Sequence, residues 1–382
     1  MNLSKNQDVL IVGGGIVGLS IARELKKNGI GKVTILEKNL VCGAESSRAA
    51  AGMLAPQAEA NLIDDFFYFC QASRDLYPNF AAELFAETGV DIELDETGTL
   101  YLAFTETDAA ELEKRFGWQK SANLSVEKLS AKEILEIEPG VSPNVLFGLR
   151  FPMDWQVENR KIIKALNRHL NGGEFVSRKA VSLIYEKNKV IGVKTDSEDF
   201  FAPVVIIASG AWTSLIEDKF NLLSGIKIKP VRGQMISFSK DYNNNYGLFR
   251  HVIYSPRGYV VPKKNGKILV GATVEDAGFE NHTTEAGAAS LLNTAFEISP
   301  AFKNLSLMKS RCGLRPFAPD GLPVLGAFPD IENLFVATAH YRNGILLAPL
   351  TAKILAEKIV GNIESEYLEI YSPRRFQKAK AF

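Results

Sequence analysis

Two arginines stand where a positive charge is costly unless it meets an anion. Arg315 follows the stretch Cys312-Gly-Leu, and no acidic residue comes after it until Asp320. Arg342 lies in His340-Tyr-Arg-Asn-Gly344, between a predicted strand and a predicted helix. A buried guanidinium needs a partner, and its planar fork meets a carboxylate through two parallel hydrogen bonds. The pair therefore suggests a carboxylate-binding site, although structural arginines bound to carbonyls or internal acids are an equally good interpretation.

A tyrosine could reach the same cavity. Tyr259 alternates with apolar neighbours in Arg257-Gly-Tyr-Val-Val-Pro262, although an isolated strand tyrosine is more often a packing residue. The sequence contains no Ser/His/Asp set, no paired carboxylates and no thiol in a nucleophile motif. We therefore assign no residue as a catalytic acid or base.

The elements that must position these residues begin near the N-terminus. A buried strand, Val9–Val12, leads into a helix from Ile16 to about Asn28, and a second strand ends at Glu37. Between the first strand and the helix lie three glycines with fingerprint spacing: Gly13, Gly15 and Gly18. The first gives a tight turn, the second lets the backbone approach a pyrophosphate, and the third brings helix and strand together. The helix N-terminus faces the phosphate and Glu37 accepts from an adenosine ribose, although Lys38 leaves a phosphorylated ribose open.

Two further stretches suit a flat ligand. Residues 42–54 are mostly small, and the hydroxyls of Ser46 and Ser47 either contact the ligand or cap a short helix. Gly344 opens the last predicted helix, whose N-terminus could face the pyrimidine edge of a flavin, or the glycine could simply form a turn. Flavin hydride chemistry needs placement of the substrate Cα rather than an acid–base pair, which agrees with the absence of such a pair.

The remaining hydrophobic patterns alternate between helices and strands. They predict helix over residues 59–88, interrupted at Pro78, and a hairpin of residues 90–94 and 99–104. We expect an α/β protein in which a Rossmann-like FAD-binding domain is interleaved with an α+β substrate domain built on an antiparallel sheet. The predicted FAD-binding domain comprises residues 1–85, 145–225 and 325–382, and the substrate domain residues 86–144 and 226–324.

Composition excludes several classes of partner. The 382 residues contain 44 basic and 44 acidic side chains, so no net charge attracts nucleic acid or an anionic membrane. The three cysteines are widely spaced, which suits reduced thiols and gives no metal-ligand pattern. No segment reads as a signal peptide or a membrane span. We expect a soluble, cytoplasmic protein without a metal.

The chain resembles the thiamine-pathway glycine oxidases of the D-amino-acid oxidase family of FAD flavoproteins, nearly end to end. The most specific stretches are Ser46-Ser-Arg-Ala-Ala-Ala-Gly-Met-Leu54, Val231-Arg-Gly-Gln, Gly258-Tyr-Val-Val-Pro262, Val270-Gly-Ala-Thr273, Gly313-Leu-Arg-Pro316 and His340-Tyr-Arg-Asn-Gly-Ile-Leu-Leu-Ala-Pro349. The resemblance implies that Arg315 pairs with the substrate carboxylate, that Tyr259 assists, and that Arg342 and Met53 line the pocket. Besides the fingerprint glycines, it implies FAD contacts at Ile16, Val17, Glu37, Lys38, Ser46, Ser47, Ala51, Gly52, Met53, Val181, His340, Tyr341, Arg342, Asn343, Gly344, Ile345 and Leu346.

The resemblance also implies a reaction: FAD-dependent oxidation of glycine, or of sarcosine or a small D-amino acid, by O2 to an imine, then 2-oxo acid, ammonia and hydrogen peroxide. FAD should be non-covalent, because Cys312 is one position out of register with the cysteine that holds flavin in sarcosine oxidases. A tetramer and a link to thiazole synthase are further implications.

Three alternatives stay open: an NAD-linked dehydrogenase, a D-amino-acid dehydrogenase with another electron acceptor, and a non-catalytic redox sensor. Arg257-Gly258 stands where the family carries His-Cys, and Val274 where it carries methionine. We expect both departures to lie near the pocket, where they leave the preferred amine open.

Overall fold

The computed structural model describes residues 8–170, 174–239 and 248–377. The strands in chain order are β1 Val9–Val12, β2 Val33–Glu37, β3 Met53–Leu54, β4 Thr99–Ala103, β5 Glu127–Ser130, β6 Phe147–Phe151, β7 Trp155–Gln156, β8 Phe175–Ser177, β9 Ala180–Glu186, β10 Lys189–Thr195, β11 Asp199–Phe201, β12 Val205–Ile207, β13 Lys229–Ser239, β14 Val252–Ser255, β15 Gly258–Pro262, β16 Lys267–Gly271, β17 Ser306–Phe317, β18 Val324–Ala327 and β19 Leu334–Thr338.

The α-helices are α1 Ile16–Lys27, α2 Ser46–Ala49, α3 Pro56–Glu59, α4 Asp65–Asp75, α5 Tyr77–Thr88, α6 Glu106–Ser121, α7 Ala131–Ile137, α8 Asn159–His169, α9 Leu222–Gly225, α10 Glu285–Ile298, α11 Gly344–Gly361 and α12 Glu366–Ile370. Shorter 3-10 helices span Gly210–Leu215, Pro300–Asn304 and Pro373–Phe376. Within the described ranges, no helix combines the length and the apolar character needed to cross a membrane.

A six-stranded sheet carries the nucleotide fingerprint. Its order is β18-β19-β12-β1-β2-β8, and its neighbours are parallel except for the edge pair β18–β19. Strands β1 and β2 are buried along their whole length, as their continuous apolar runs require in a sheet covered on both faces. Helices α1 and α11 pack against each other over this sheet.

An eight-stranded sheet forms the second layer. Its order is β17-β13-β16-β15-β14-β4-β6-β5, and every neighbouring pair is antiparallel except β14–β4. Leu291 and Ala295 of α10 pack on one face with Val260 and Val270. The other face contributes Met235 to a cluster that also contains small residues from the stretch before α3. The predicted α/β class, a Rossmann-like unit combined with an α+β unit on a largely antiparallel sheet, is confirmed.

The predicted hairpin over residues 90–104 is wrong. Residues 90–94 form no strand, and β4 instead pairs with β6 and β14. Val90 and Ile92 face the core of the nucleotide layer, and the Ile92 carbonyl accepts from the Glu158 amide at 2.9 Å. Burial against a different layer therefore overrides the alternating pattern. The predicted helix over residues 59–88 divides into α4 and α5 at Leu76, close to the predicted interruption, and Pro78 lies in the first turn of α5, where proline is tolerated.

The sheets suggest adjusted domain limits. Strand β6 belongs to the eight-stranded sheet, although residues 145–225 were assigned to the FAD-binding domain. Residues 90–92 pack with the six-stranded sheet, although they fall in the predicted substrate segment 86–144. We propose that the first substrate segment runs from about 95 to about 151, with the other predicted limits kept.

Candidate active site

A cavity of about 950 Å³ connects the two sheets. At one end it is lined by residues at the carboxyl ends of β1 and β2, including Gly13 just after β1 and Glu37 at the end of β2. At the other end it is lined by side chains of β13, β15 and β17, including Met235, Tyr259 and Arg315. The cavity therefore joins the nucleotide fingerprint of the six-stranded sheet to the face of the eight-stranded sheet that carries Arg315.

The fingerprint turn leaves open backbone at the nucleotide end. Gly13 has φ +114° and donates its amide to the Leu36 carbonyl at 2.8 Å. A Cβ at Gly15 would find only the Ser47 hydroxyl, at 3.4 Å, so a side chain there would project into the cavity. A Cβ at Gly18 would collide with the Gly13 carbonyl, which is the close helix–strand approach that the fingerprint predicts.

Hydroxyl and carboxylate groups flank this turn. The amide of Ile16 at the start of α1 donates to Ser47 Oγ at 3.0 Å. Glu37 accepts from the Gly14 amide at 2.9 Å and from the Asn39 amide and side chain at 2.9 and 2.8 Å. Since a carboxylate offers about four lone-pair sites, Glu37 keeps acceptor capacity for a ribose hydroxyl.

The Lys38 cation is already neutralised. Its Nζ lies 2.9 Å from Glu45 and 3.4 Å from the centroid of the Trp212 ring. A lysine paired in this way offers little to a ribose phosphate, so this geometry favours an unphosphorylated ribose.

The small-residue wall brings the two layers into contact. Ser46 of α2 donates its hydroxyl to the Leu314 carbonyl of β17. A Cβ at Gly313 would lie 2.8 Å from the Ala49 Cβ, so no larger residue fits there. Gly52 has φ +84°, and a Cβ on it would meet the Val157 carbonyl. The backbone of residues 46–53 thereby faces the cavity without bulky side chains.

The last loop presents a helix N-terminus to the cavity. Helix α11 begins at Gly344 without a side-chain cap, so its first amide N–H groups keep the capacity to bind a ligand. The loop is bound to β17, because the Tyr341 amide donates to the Pro316 carbonyl at 3.1 Å. His340 lies 3.1 Å from the Thr351 hydroxyl, and burial lowers the pKa of its imidazole to about 4. His340 is therefore neutral at neutral pH.

Arg315 faces the cavity without an acidic partner among the described residues. Its Nη1 donates to the carbonyls of Thr273 at 3.0 Å and Arg232 at 3.5 Å. Its guanidinium lies over Gly233, where a Cβ would overlap it. An arginine held by carbonyls alone keeps its full charge available to an incoming carboxylate.

Arg342, Tyr259 and Glu59 line the same end of the cavity. The Glu59 carboxylate is the main cause that raises the pKa of Arg342, and it accepts from the Tyr254 hydroxyl at 2.9 Å. Burial raises the pKa of the Tyr259 phenol, with Arg315 acting in the opposite direction. Tyr259 is therefore a neutral hydrogen-bond donor beside two cations.

The structure brings together most of the predicted site residues. Those lining the cavity are Gly13, Gly15, Ile16, Val17, Glu37, Lys38, Ser46, Ser47, Ala51, Gly52, Met53, Val181, Tyr259, Arg315, His340, Tyr341, Arg342, Asn343, Gly344 and Ile345. Gly18 and Leu346 do not line it. Gly18 lies under the turn, and Leu346 is buried with its carbonyl bound by the Ser73 hydroxyl at 2.7 Å.

The two departures from the family pattern differ in position. Val274 lines the cavity and is 60% exposed. Arg257 does not line it, because its guanidinium is bound by both oxygens of Asp108, at 3.0 and 2.6 Å, and by Glu297. The expectation that Arg257 lies near the pocket is therefore wrong.

Sequence reasoning missed two acids near the substrate end. Glu59 is the last residue of α3, and its only sequence signal is an acid after the small-residue stretch. Glu275 follows β16 and binds the side chains of Arg232 and Gln234. No spacing rule links Glu275 to residues 43 and 41 positions earlier, so only the pairing of the segments reveals it.

The residues present fit a flavin dinucleotide. The turn leaves an open backbone for a pyrophosphate, Glu37 can accept from a ribose, and the uncapped start of α11 offers N–H groups to an electron-rich ring edge. Within the described ranges, no group of three or more His, Cys, Asp or Glu side chains is placed to hold a metal ion.

Known proteins match this chain along most of its length. The family model described as "FAD dependent oxidoreductase" matches residues 8–358. The glycine oxidase of Geobacillus kaustophilus is 33% identical over 368 residues, covering 94% of each chain. The "Bifunctional protein ThiO/ThiG" of Trichormus variabilis is 33% identical over 97% of this chain, which spans 55% of that relative. The crystal structure of the Geobacillus kaustophilus glycine oxidase superposes with a TM-score of 0.87 at 32% identity, covering 96% of this chain and 98% of that one.

Proposed function

Since the chain belongs to the family of FAD-dependent oxidoreductases, as an amino-acid oxidase similar to glycine oxidases, we propose that it oxidises glycine, with sarcosine and small D-amino acids as further candidates. The products are the imine, then glyoxylate and ammonia when the substrate is glycine, and hydrogen peroxide from O2. The observation that carries this proposal is Arg315, a cavity-facing guanidinium held only by backbone carbonyls.

Substrate binding follows from the charges at that end of the cavity. Arg315 takes the substrate carboxylate in a two-point contact, and Tyr259 donates its hydroxyl to the same group. Arg342 adds a second positive charge, which Glu59 partly balances. The two-point contact fixes orientation as well as affinity, so the Cα–H bond points to one side of the pocket.

When bound, FAD would supply the redox chemistry, which is acceptance of the hydride from the substrate Cα and reduction of O2. The residues that would hold it are the fingerprint glycines and Glu37 for the nucleotide, and residues 46–53 and 340–345 for the flavin. We propose non-covalent binding, because Cys312 Sγ lies against the Asn281 side chain at 3.1 Å and does not line the cavity.

A link to thiazole synthase is a further part of the proposal. The relative named "Bifunctional protein ThiO/ThiG" supports it, because the present chain matches one part of that longer protein. The imine, rather than glyoxylate, would then be the useful product. A homotetramer and a cytoplasmic location stay as predictions from family resemblance.

The test is an absorbance spectrum of the purified holoprotein before and after anaerobic addition of glycine, followed by admission of air with peroxide measured in the same cuvette. We expect bleaching of the flavin band and then one peroxide per glycine consumed. The proposal would be refuted if glycine, sarcosine and small D-amino acids all failed to bleach the flavin. Bleaching without peroxide, with activity towards a quinone dye, would point to a dehydrogenase.

A further inference from the structure

The two carbonyls that hold Arg315 lie on segments that are joined by one carboxylate. The carbonyl of Arg232 belongs to β13, whereas that of Thr273 lies beyond the end of β16 at Gly271. The regular ladder between β13 and β16 ends at Met235–Gly271, so it does not fix the segment that carries Thr273. Beyond the ladder, the two segments are held by an isolated backbone bridge between Arg232 and Glu275 and by side-chain bonds.

Glu275 supplies these bonds. Its Oε2 accepts from Nε and Nη2 of Arg232 at 2.9 and 2.6 Å. Its Oε1 accepts from the side-chain amide of Gln234 at 2.8 Å and from the Thr273 hydroxyl. One carboxylate thus gathers four donors from both segments. The backbones of Arg232 and Glu275 also exchange two hydrogen bonds, both 2.9 Å long.

Thr273 is fixed on every side except the one that faces Arg315. Its hydroxyl accepts from the backbone amide of Gln234 at 2.8 Å and donates to the Glu275 carboxylate. Its own backbone amide donates to the Gln234 backbone carbonyl at 3.2 Å. The remaining polar group is its carbonyl, which accepts from Arg315. The direction of that carbonyl is therefore determined by the bonds to Gln234 and Glu275.

We propose that Glu275 is a positioning residue for the substrate's acid group, because it fixes the Thr273 and Arg232 carbonyls that orient the Arg315 guanidinium. This inference rests on the proposed function, in which Arg315 binds the substrate carboxylate. Glu275 does not line the cavity and acts only through Arg315.

The charge of Glu275 is maintained at neutral pH. Burial alone would raise the pKa of this carboxyl, but the hydrogen bonds from Thr273, Arg232 and Gln234 together lower it below its ordinary value. The carboxylate therefore stays ionised at neutral pH and accepts all four bonds there.

A neighbouring acid provides a matched control. Glu280 Oε2 lies 3.8 Å from Nη1 of the same Arg232, but its side chain is 69% exposed. No hydrogen bond links the Glu280 side chain to Thr273 in the described part of the chain. Glu280→Gln thus removes a negative charge from the same arginine without loosening the Thr273 carbonyl.

The experiment measures acetate binding to the holoenzyme from the change in flavin absorbance, because acetate offers a carboxylate and no amine. We expect Glu275→Gln to raise the acetate dissociation constant about tenfold and Glu280→Gln to change it less than twofold. In an Arg315→Ala background, Glu275→Gln should have no further effect, because the residue through which it acts is absent.

Two results would overturn the inference: an acetate constant within twofold of the native value in Glu275→Gln, or the same loss with and without Arg315. If Glu275→Gln fails to retain FAD, Thr273→Val provides the same test, since it removes the hydroxyl bond and keeps every charge. We expect a severalfold loss there, with recovery in Thr273→Ser. A failure of glycine, sarcosine and small D-amino acids to reduce the native enzyme would refute the proposed function, whereas the acetate titration would still test the link between Glu275 and Arg315.

Discussion

Replacing Arg315 with alanine should weaken substrate binding by a measurable and bounded amount. In the described structure, the Arg315 guanidinium is bound only by the carbonyls of Thr273 and Arg232, so a substrate carboxylate would be its first anionic partner. Loss of a two-point charged contact costs roughly 2–4 kcal/mol. At tenfold for each 1.4 kcal/mol, this corresponds to about a 30- to 700-fold rise in the dissociation constant.

The assay is rapid anaerobic mixing of holoenzyme with glycine, in which the rate of flavin bleaching at several concentrations gives both the dissociation constant and the limiting rate. Arg315→Lys should lose less than Arg315→Ala, because lysine keeps the charge but not the planar fork. Lys309→Ala is the control, since it removes an exposed cation from the same strand β17. A rise of less than threefold in Arg315→Ala would show that the carboxylate is bound elsewhere, with Arg342 as the next candidate.

Two further outcomes follow from the site. His340 has a pKa of about 4 against an ordinary 6.5, so between these values the unfolded chain takes up a proton that the folded chain does not. Its contribution to stability is therefore constant above pH 6.5 and falls by roughly 2 kcal/mol from pH 7 to pH 5. The buried Asp154 carboxyl, whose pKa burial raises to about 7, titrates over the same range with the opposite effect on stability. The loss is therefore measured as the difference in the pH dependence of urea unfolding between the native apoprotein and His340→Gln, and equal pH dependences would mean that His340 is not buried in the neutral form. Glu59→Gln should tighten acetate binding about fivefold, because it removes a negative charge worth about 1 kcal/mol beside the anion site. Glu297→Gln, outside the cavity, should have no such effect, and unchanged or weaker acetate binding in Glu59→Gln would place Glu59 too far from the site to act on it.

The nucleotide end of the molecule could be predicted almost residue by residue. Strand β1 has the predicted limits Val9–Val12, β2 ends at the predicted Glu37, and α1 ends at Lys27, one residue before the predicted end. Local rules suffice there, because the turn, the helix start and the strand-end acid are adjacent in sequence. The same locality made Arg315 and Arg342 visible, each in a short motif with no acid beside it.

The errors and omissions have a common physical cause. Residues 90–94 alternate like a strand, but their apolar side chains pack in the other layer, which no local pattern reveals. Arg257 was expected near the pocket because it lies two positions before Tyr259 in the sequence. Its guanidinium is instead bound by the Asp108 carboxylate of α6, away from the cavity. Glu275 and Glu59 gain their roles only from segments far away in sequence. Charged side chains are placed by tertiary partners, and a single sequence does not contain that information.

The contact between α2 and β17 has a consequence for how the substrate range can change. The Ser46 hydroxyl donates to the carbonyl of Leu314, the residue just before Arg315. Gly313 packs so closely against Ala49 that no larger side chain fits between α2 and β17. The distance from the small-residue wall of residues 46–53 to the Arg315 guanidinium is thus set by one tight junction rather than by a hinge. If the cavity binds amines as proposed, a variant that admits bulkier ones would have to change side walls such as Val274, whose side chain can vary while that distance is preserved.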